Sequence, residues 1–326
     1  MPLLTPSQVH LDQPLSNLTL AYVQEQTNFV ADKVFPTVGV ARQSDKYYVY
    51  DRANMNRSGD VKILAPRTEL NRIGMAVSND SYYADVRGLA MDFDEQTIAN
   101  EDEVLEIRSA GAQTLMTRLL IDREQEFAST FFSAGVWTTD VTPANLWSDY
   151  TNATPITDVT NARRVMQLTS GGMKPNTMVV GKEVRDILIN HPDILARLNG
   201  GSTVSNTALI TDAKLAEIFE VENFYVMEAV ANTAAEGLTE SNAFIGGKHA
   251  LLVHTPRSSG LMTPAAGLTF AWNSIPGVSN LGITVESFSD DALKRVQVAE
   301  EIQVKMAYDM KVVGADLGYF FENVVA

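Results

Sequence analysis

Cysteine is absent from all 326 residues. That excludes disulfide staples and thiolate metal sites, and it suits a reducing compartment. Histidine is scarce, with only four copies, His10, His191, His249 and His254. None forms an H-E-x-x-H pair. His249 and His254 stand five apart, which puts them on opposite faces of a strand, whereas a metal needs converging ligands. No apolar run approaches the roughly 18 residues a membrane span requires. Met1 to Leu20 has no basic stretch leading into an apolar core, so no secretory signal is expected. Positive charge is also short: 25 Lys and Arg stand against 40 Asp and Glu, a net charge of -15. A protein that grips free nucleic acid is normally basic. Neither G-x-G-x-x-G nor G-x-x-x-x-G-K-[ST] occurs, and no serine sits in a G-x-S-x-G setting. Gly246-Gly-Lys-His249 lacks the spacing of a phosphate loop and reads as a strand-edge turn. His191, between Asn190 and Pro192, reads as a turn residue at a helix junction. The expectation is therefore no catalytic residues, no cofactor and no metal, which is to say no enzyme.

What the chain does contain is ordinary globular material, 45% hydrophobic and 20% charged, in more residues than one core usually fills. Residues 1–41 read as an arm punctuated by Pro2, Pro6, Pro14 and Pro36. A short helix is expected over Leu18–Phe29 with Asn17 as its cap. Thr37-Val-Gly-Val40 reads as extended. Residues 42–91 read as a long hairpin. Lys46-Tyr-Tyr-Val-Tyr50 is rich in strand formers, Asn56-Arg-Ser-Gly-Asp60 carries turn chemistry, and Val61 to Pro66 forms a short extended piece. Gly74–Ser78 and Ser81–Arg87 return as strands. This ribbon holds eight basic and six acidic residues. Next comes the strongest helical pattern, residues 100–134, capped by Asn100 with Glu103 in capping-box position and stopped by Gly135. Its apolar stripe runs through Leu115, Leu119, Phe127 and Phe131, and Gly111 is a candidate kink. From Asp92 to Ser133 there are ten acidic residues and three basic ones. Asp92-Phe-Asp-Glu95 reads as a solvated junction before that helix.

Residues 136–280 mix helices and strands. Helices are expected over Asp158–Ser170, ended by Gly171-Gly172, over Lys182–Asn190, from Pro192, and over Thr211–Phe219. Strands are expected over Asn176–Gly181, Asn223–Val230, Ala243–His254 and Gly267–Trp272. In residues 281–326, Val298, Ile302, Val304 and Met306 keep a period of two that breaks at Glu300. Lys311 to Phe321 is apolar enough to be buried.

A compact monomer has little use for a long ribbon joined to a long rod, whereas a subunit reaching over its neighbours does. The order of parts, with Phe29-Val-Ala-Asp-Lys-Val-Phe-Pro-Thr-Val38, Ser44-Asp-Lys-Tyr-Tyr-Val-Tyr-Asp51, Asn190-His-Pro-Asp-Ile194, Phe244-Ile-Gly-Gly-Lys-His-Ala-Leu-Leu252 and Ala315-Asp-Leu-Gly-Tyr-Phe-Phe321, resembles the major capsid proteins of tailed bacteriophages over essentially the whole chain. The resemblance implies an α+β fold: an N-terminal arm (1–41), an extended β-hairpin loop (42–91) and a peripheral domain (92–150) with a spine helix at 100–134. An α/β axial domain (151–280) and C-terminal strands (281–326) returning to both domains complete it. It implies pentamers and hexamers of the chain closing into an icosahedral phage head around double-stranded DNA, bound without sequence-specific contacts. A separate scaffolding protein, a portal protein and a decoration protein are the implied partners, with no membrane. Assembly would occur in the host bacterial cytoplasm, and the product would be the virion capsid. An encapsulin-like nanocompartment shell, which shares the fold, is the alternative. Opposite charge offers a means of subunit contact: Arg42, Lys46, Arg52, Arg57, Lys62, Arg67 and Arg72 on the ribbon would meet Glu101, Asp102, Glu103 and Glu106 of a neighbour's rod. Raised salt should then loosen assembly.

Overall fold

The computed structural model describes residues 28–50, 56, 58–61, 63–64, 66–74, 77–99, 107–198, 210–235, 237–258, 263–273, 283–288 and 298–326. The helix expected over Leu18–Phe29 lies almost wholly outside them.

The chain enters through a single-turn helix α1 (Ala31–Val34) and strand β1 (Thr37–Val40). Strands β2 (Ser44–Tyr50) and β3 (Val77–Tyr83) pair antiparallel, from Ser44 opposite Tyr83 to Tyr50 opposite Val77. They form the root of the ribbon. Between them, Val61, Ile63 and Leu64 lie in no strand. Strand β4 (Asp85–Asp94) follows, then a short helix α2 (Glu95–Ala99) and the long helix α3 (Ile107–Phe131).

The helical pattern expected over residues 100–134 is thus found in part. Residues 100–106 lie outside the description. The 25 residues of α3 span about 37 Å at 1.5 Å per residue. The helix ends three residues short of its expected limit because its last carbonyls find other partners. The Phe132 N–H turns back to the Phe127 carbonyl at 3.2 Å, and the Trp137 indole N–H takes the Phe131 carbonyl at 2.8 Å. Gly135, with φ at 86°, sits in the turn beyond and donates to Asp140 instead of closing the helix.

Helix α3 rests on a five-stranded sheet organised by the long strand β13 (Val298–Val312). Strand β4 runs along one edge of β13, with Asp85 opposite Tyr308. Along the other edge lie β12 (Ile283–Phe288) and then β11 (Gly267–Trp272), which pairs parallel with β1. The register against β4 slips between Val298 and Glu300, where the sequence alternation breaks. Ile302, Val304, Met306 and Tyr308 all point into the core beneath Leu115, Leu119, Phe127 and Phe131. Phe35 is the hub there: fully buried, it meets Phe127, Phe131 and Trp137 edge-on at centroid distances of 5.3, 4.9 and 6.4 Å.

A second five-stranded sheet has the order β5 (Thr139–Val141), β14 (Gly318–Phe321), β10 (Ala250–Val253), β6 (Thr177–Gly181), β7 (Asn223–Met227). Strands β6, β10 and β14 are buried along their whole length. Their alternation divides them between two cores. Val179, Leu251 and Phe320 face the core under α3. Met178, Val180, Leu252 and Phe321 face α4 (Pro155–Thr169), α5 (Lys182–Ile189) and α7 (Asp212–Phe219) around the fully buried Trp147. Helix α6 (Pro192–Leu198) adds Ile194 to that core. The expected buried strand at 176–181, the helix stop at Gly171-Gly172 (φ 75° and 108°) and the apolar C-terminal stretch all occur. Strand β5 was not anticipated.

The strand expected over Ala243–His254 is two strands, β9 (Asn242–Phe244) and β10, split by a turn. Gly247 takes φ 53° there, and Gly246 and Gly247 press against Gly181 so closely that no Cβ fits on Gly181. Likewise Asn223–Val230 divides into β7 and β8 (Val230–Asn232), which pairs with β9 in a separate hairpin.

Candidate subunit interface

The ribbon is anchored at its root, and its described aliphatic side chains farther out face solvent. Tyr82 stacks on Phe270 at 4.6 Å and Tyr47 lies against the same ring at 5.3 Å. The Tyr47 hydroxyl donates to Asp80 at 3.0 Å, and burial together with that bond pushes its pKa well up. The Tyr83 N–H donates to Asp309 at 2.9 Å. These contacts fix the direction in which the ribbon leaves the body. Farther out, Asn71 bridges the loop by donating to the Asp60 carbonyl at 2.9 Å, and Asn56 reaches the chain's own Gly171 carbonyl at 3.3 Å. Between these polar ties Val61, Ile63, Leu64, Leu70 and Ile73 all face solvent, with Ile63 fully exposed. Single exposed aliphatics need no explanation, but five within thirteen residues mark a contact surface.

The cations expected on this ribbon are less decisive. Arg42 is exposed and stands 3.9 Å from Asp45, whose side chain is also exposed, a pair worth little. Lys46, Arg67 and Arg72 are exposed. Arg67 holds a left-handed φ of 70° in the loop. Arg52, Arg57 and Lys62 lie outside the described residues, as do Glu101, Asp102, Glu103 and Glu106. The pairing expected between these groups therefore lies outside the described residues.

Residues 107–131 hold three basic and three acidic side chains, so the excess of acid lies ahead of them in Asp92–Glu106. Several of the rod's charges have partners within the chain. Arg87 of β4 bonds Asp122 at 3.0 Å and Glu126 at 2.8 Å. Burial works against its charge, but Tyr308 and those two carboxylates outweigh burial and hold its pKa above the ordinary guanidinium value. The Tyr308 hydroxyl donates to Glu126 at 2.7 Å, and burial plus that bond drives its pKa far up.

Two charges are wholly internal. Arg123, 3% exposed, pairs with Asp32 of α1. Glu124, 1% exposed, accepts the backbone N–H of Val30 at 3.0 and 3.1 Å and that of Ala31 at 3.0 Å. These clasp the segment that leads out of the arm to the middle of the rod. Burial disfavours the charge on both, lowering the Arg123 pKa and raising that of Glu124. Sequence reading did not single out this pair, which entered only the charge count over Asp92–Ser133. The signal was present: at 3.6 residues per turn, positions 123 and 124 fall on the same stripe as Leu119, Leu120 and Phe127.

His191 is buried at the junction of α5 and α6, as its setting suggested. Its Nδ1 accepts the Asp193 N–H at 3.2 Å, and burial lowers its pKa. Among the described residues no three His, Asp or Glu side chains converge as metal ligands, and no helix is long and apolar enough to cross a membrane.

Comparison with known proteins follows the same lines. Residues 135–267 match the model of the family described as phage major capsid protein E. The chain is 26% identical over 325 residues to the major capsid protein of Pseudomonas phage JBD67, covering 97% of each. Its fold is similar to that of a phage-related protein from Bordetella bronchiseptica RB50, with a TM-score of 0.68, 19% identity and coverage of 96% and 97%. It is also similar to a chain of the capsid of cyanophage P-SCSP1u, with a TM-score of 0.59, 11% identity and coverage of 91% and 89%.

Proposed function

We propose that this chain, which belongs to the phage major capsid protein family, builds a closed icosahedral head by laying its ribbon over the adjoining subunit. The family and the α+β capsid fold make it a structural component of a phage shell. The observation that carries the finer reading is the ribbon between Asn56 and Gly74, held rigid at its root by Tyr82 on Phe270 yet exposing five large aliphatic side chains. A protein that stays a monomer gains nothing by keeping such a surface in water.

In this reading, hexamers and pentamers form by the same ribbon contact and close into a shell that encloses double-stranded DNA. Each contact is modest, and closure multiplies it. The net charge of -15 keeps the packed polymer from adhering to the wall. A separate scaffolding protein guides assembly in the bacterial cytoplasm, a portal occupies one vertex, and a decoration protein can add outside. An encapsulin-like compartment would use the same fold. The phage reading is preferred because the matched family and the relative are phage capsid proteins.

The test is negative-stain microscopy of the purified chain, co-expressed with its neighbouring genes, beside a variant lacking residues 58–73. The expected result is closed shells from the parent chain. From the variant we expect soluble, folded subunits whose circular dichroism is unchanged. Shells of normal size from the deleted chain would refute the role given to the ribbon.

A further inference from the structure

We infer that His249 is an acid-sensitive latch on the segment Glu322–Val325, which follows β14 and ties the second sheet to the loop around Trp147. The imidazole stands just ahead of β10, between the two cores. It lies edge-on to Phe132 beyond the α3 end at 5.9 Å and tilted on Phe320 of β14 at 5.3 Å. Its Nδ1 accepts the Asn323 N–H at 3.1 Å. Asn323 is held there at a left-handed φ of 47°. On either side, the Glu322 N–H donates to the Val141 carbonyl at 3.0 Å and the Val324 N–H to the Lys248 carbonyl at 2.9 Å. The Val324 carbonyl in turn accepts the Trp147 N–H at 2.6 Å, and Val324 and Val325 are buried in the second core.

The hydrogen bond fixes the protonation state. A ring nitrogen that accepts an N–H carries no proton of its own, so the latch closes only on a neutral imidazole. Protonation at Nδ1 sets two donors against each other and leaves the Asn323 N–H without its acceptor. The described histidines differ in this respect. His254 turns Nδ1 to the Lys174 carbonyl at 2.7 Å, a bond that a charged ring keeps by donating. His191 also accepts an N–H, from Asp193, but within the turn that joins α5 to α6. Few charges face His249. Glu322 favours the imidazolium and Lys248 adjoins it in the chain, while across the groove Arg87 of β4 is already bonded to Asp122 and Glu126 of α3. Burial outweighs Glu322 and lowers the His249 pKa below its ordinary 6.5. A group depressed in this way contributes its stability above the unfolded pKa and loses it as pH falls through the folded value. The latch therefore holds at neutral pH and opens in acid, below 6.5.

The full chain carrying Val325→Cys reports the latch, because it holds no other thiol. Val325 is 3% exposed, so a thiol there reacts only when the segment lifts. Labelling with dithiodipyridine, which reacts with thiols in acid, is followed from about pH 7.5 to about pH 5 and divided at each pH by the rate for a free cysteine peptide. With His249 present, that quotient should rise by more than about fivefold on acidification. His249→Asn keeps an acceptor oxygen near the Nδ1 position but takes up no proton, and there the quotient should change by less than about twofold. Glu322→Gln removes the carboxylate that favours the imidazolium, and should move the opening midpoint to lower pH. A flat profile with His249 present, an equal rise in His249→Asn, or a midpoint that Glu322→Gln leaves unmoved would overturn the latch. A rise that coincides with loss of the helical circular dichroism signal would mean global unfolding and would overturn it too.

Discussion

Replacing Glu124 with alanine should loosen the hold of the rod on the segment that follows the arm. Its carboxylate is the acceptor for the Val30 and Ala31 N–H groups, both in buried surroundings. Each orphaned buried donor costs about 1–3 kcal/mol. Release of a buried carboxylate offsets part of this, because burial already disfavours its charge. The net loss should be about 2–4 kcal/mol. Glutamine keeps an acceptor oxygen and should cost less. Urea unfolding of dissociated subunits, followed by fluorescence of the buried Trp137 and Trp147, measures both variants. The pH dependence separates the two contributions. Burial raises the folded pKa of Glu124 above its ordinary value of 4.5. A group shifted this way contributes its full stability below its unfolded pKa and loses it as pH rises through the folded value. The parent chain should therefore lose stability relative to Glu124→Gln as pH is raised from about 4.5 towards neutrality. A gain over that range would mean that the N–H bonds outweigh burial, and the reasoning would fail. An alanine variant as stable as the parent would refute the clasp altogether.

Phe35→Ala should cost about 3–5 kcal/mol in the same assay, since the ring is fully buried among Phe127, Phe131 and Trp137. Leu168→Ala, at a side chain 77% exposed, should stay within about 0.5 kcal/mol. Gly181→Ala should destabilise by at least about 1–3 kcal/mol, because the added methyl meets the Gly247 backbone carbonyl, which no rotamer change can move. Calorimetry would read it as a lowered Tm. Limited proteolysis should cut free subunits between Asp60 and Gly74 and spare that stretch in assembled shells. Equal cleavage in both would count against the ribbon contact.

Local patterns were legible wherever one face or one turn decided the outcome. The alternation that breaks at Glu300 became a register slip between Val298 and Glu300. Asn176–Gly181 read as a buried strand because both its faces are largely apolar, and β6 lies between β10 and β7 in the second sheet. Gly171-Gly172 ended α4 because both take positive φ. The strand expected over Ala243–His254 is split at the turn expected at Gly246-Gly-Lys-His249, where Gly246 and Gly247 close on Gly181. The charges of α3 were not legible in this way, because counting charges along a helix does not tell that Arg123 and Glu124 point inward.

Sequence alone determined the order of parts, the absence of disulfides, the long amphipathic helix and the strand-rich tail, since each follows from residue type and spacing along the chain. Only the tertiary structure decided that Arg123 and Glu124 are buried against α1, that Arg87 neutralises Asp122 and Glu126, and that the ribbon's aliphatics remain in water. Those outcomes depend on which distant segments meet: residues 30 and 124, or 87 and 122, come together only through the packing of α3 on the sheet built around β13.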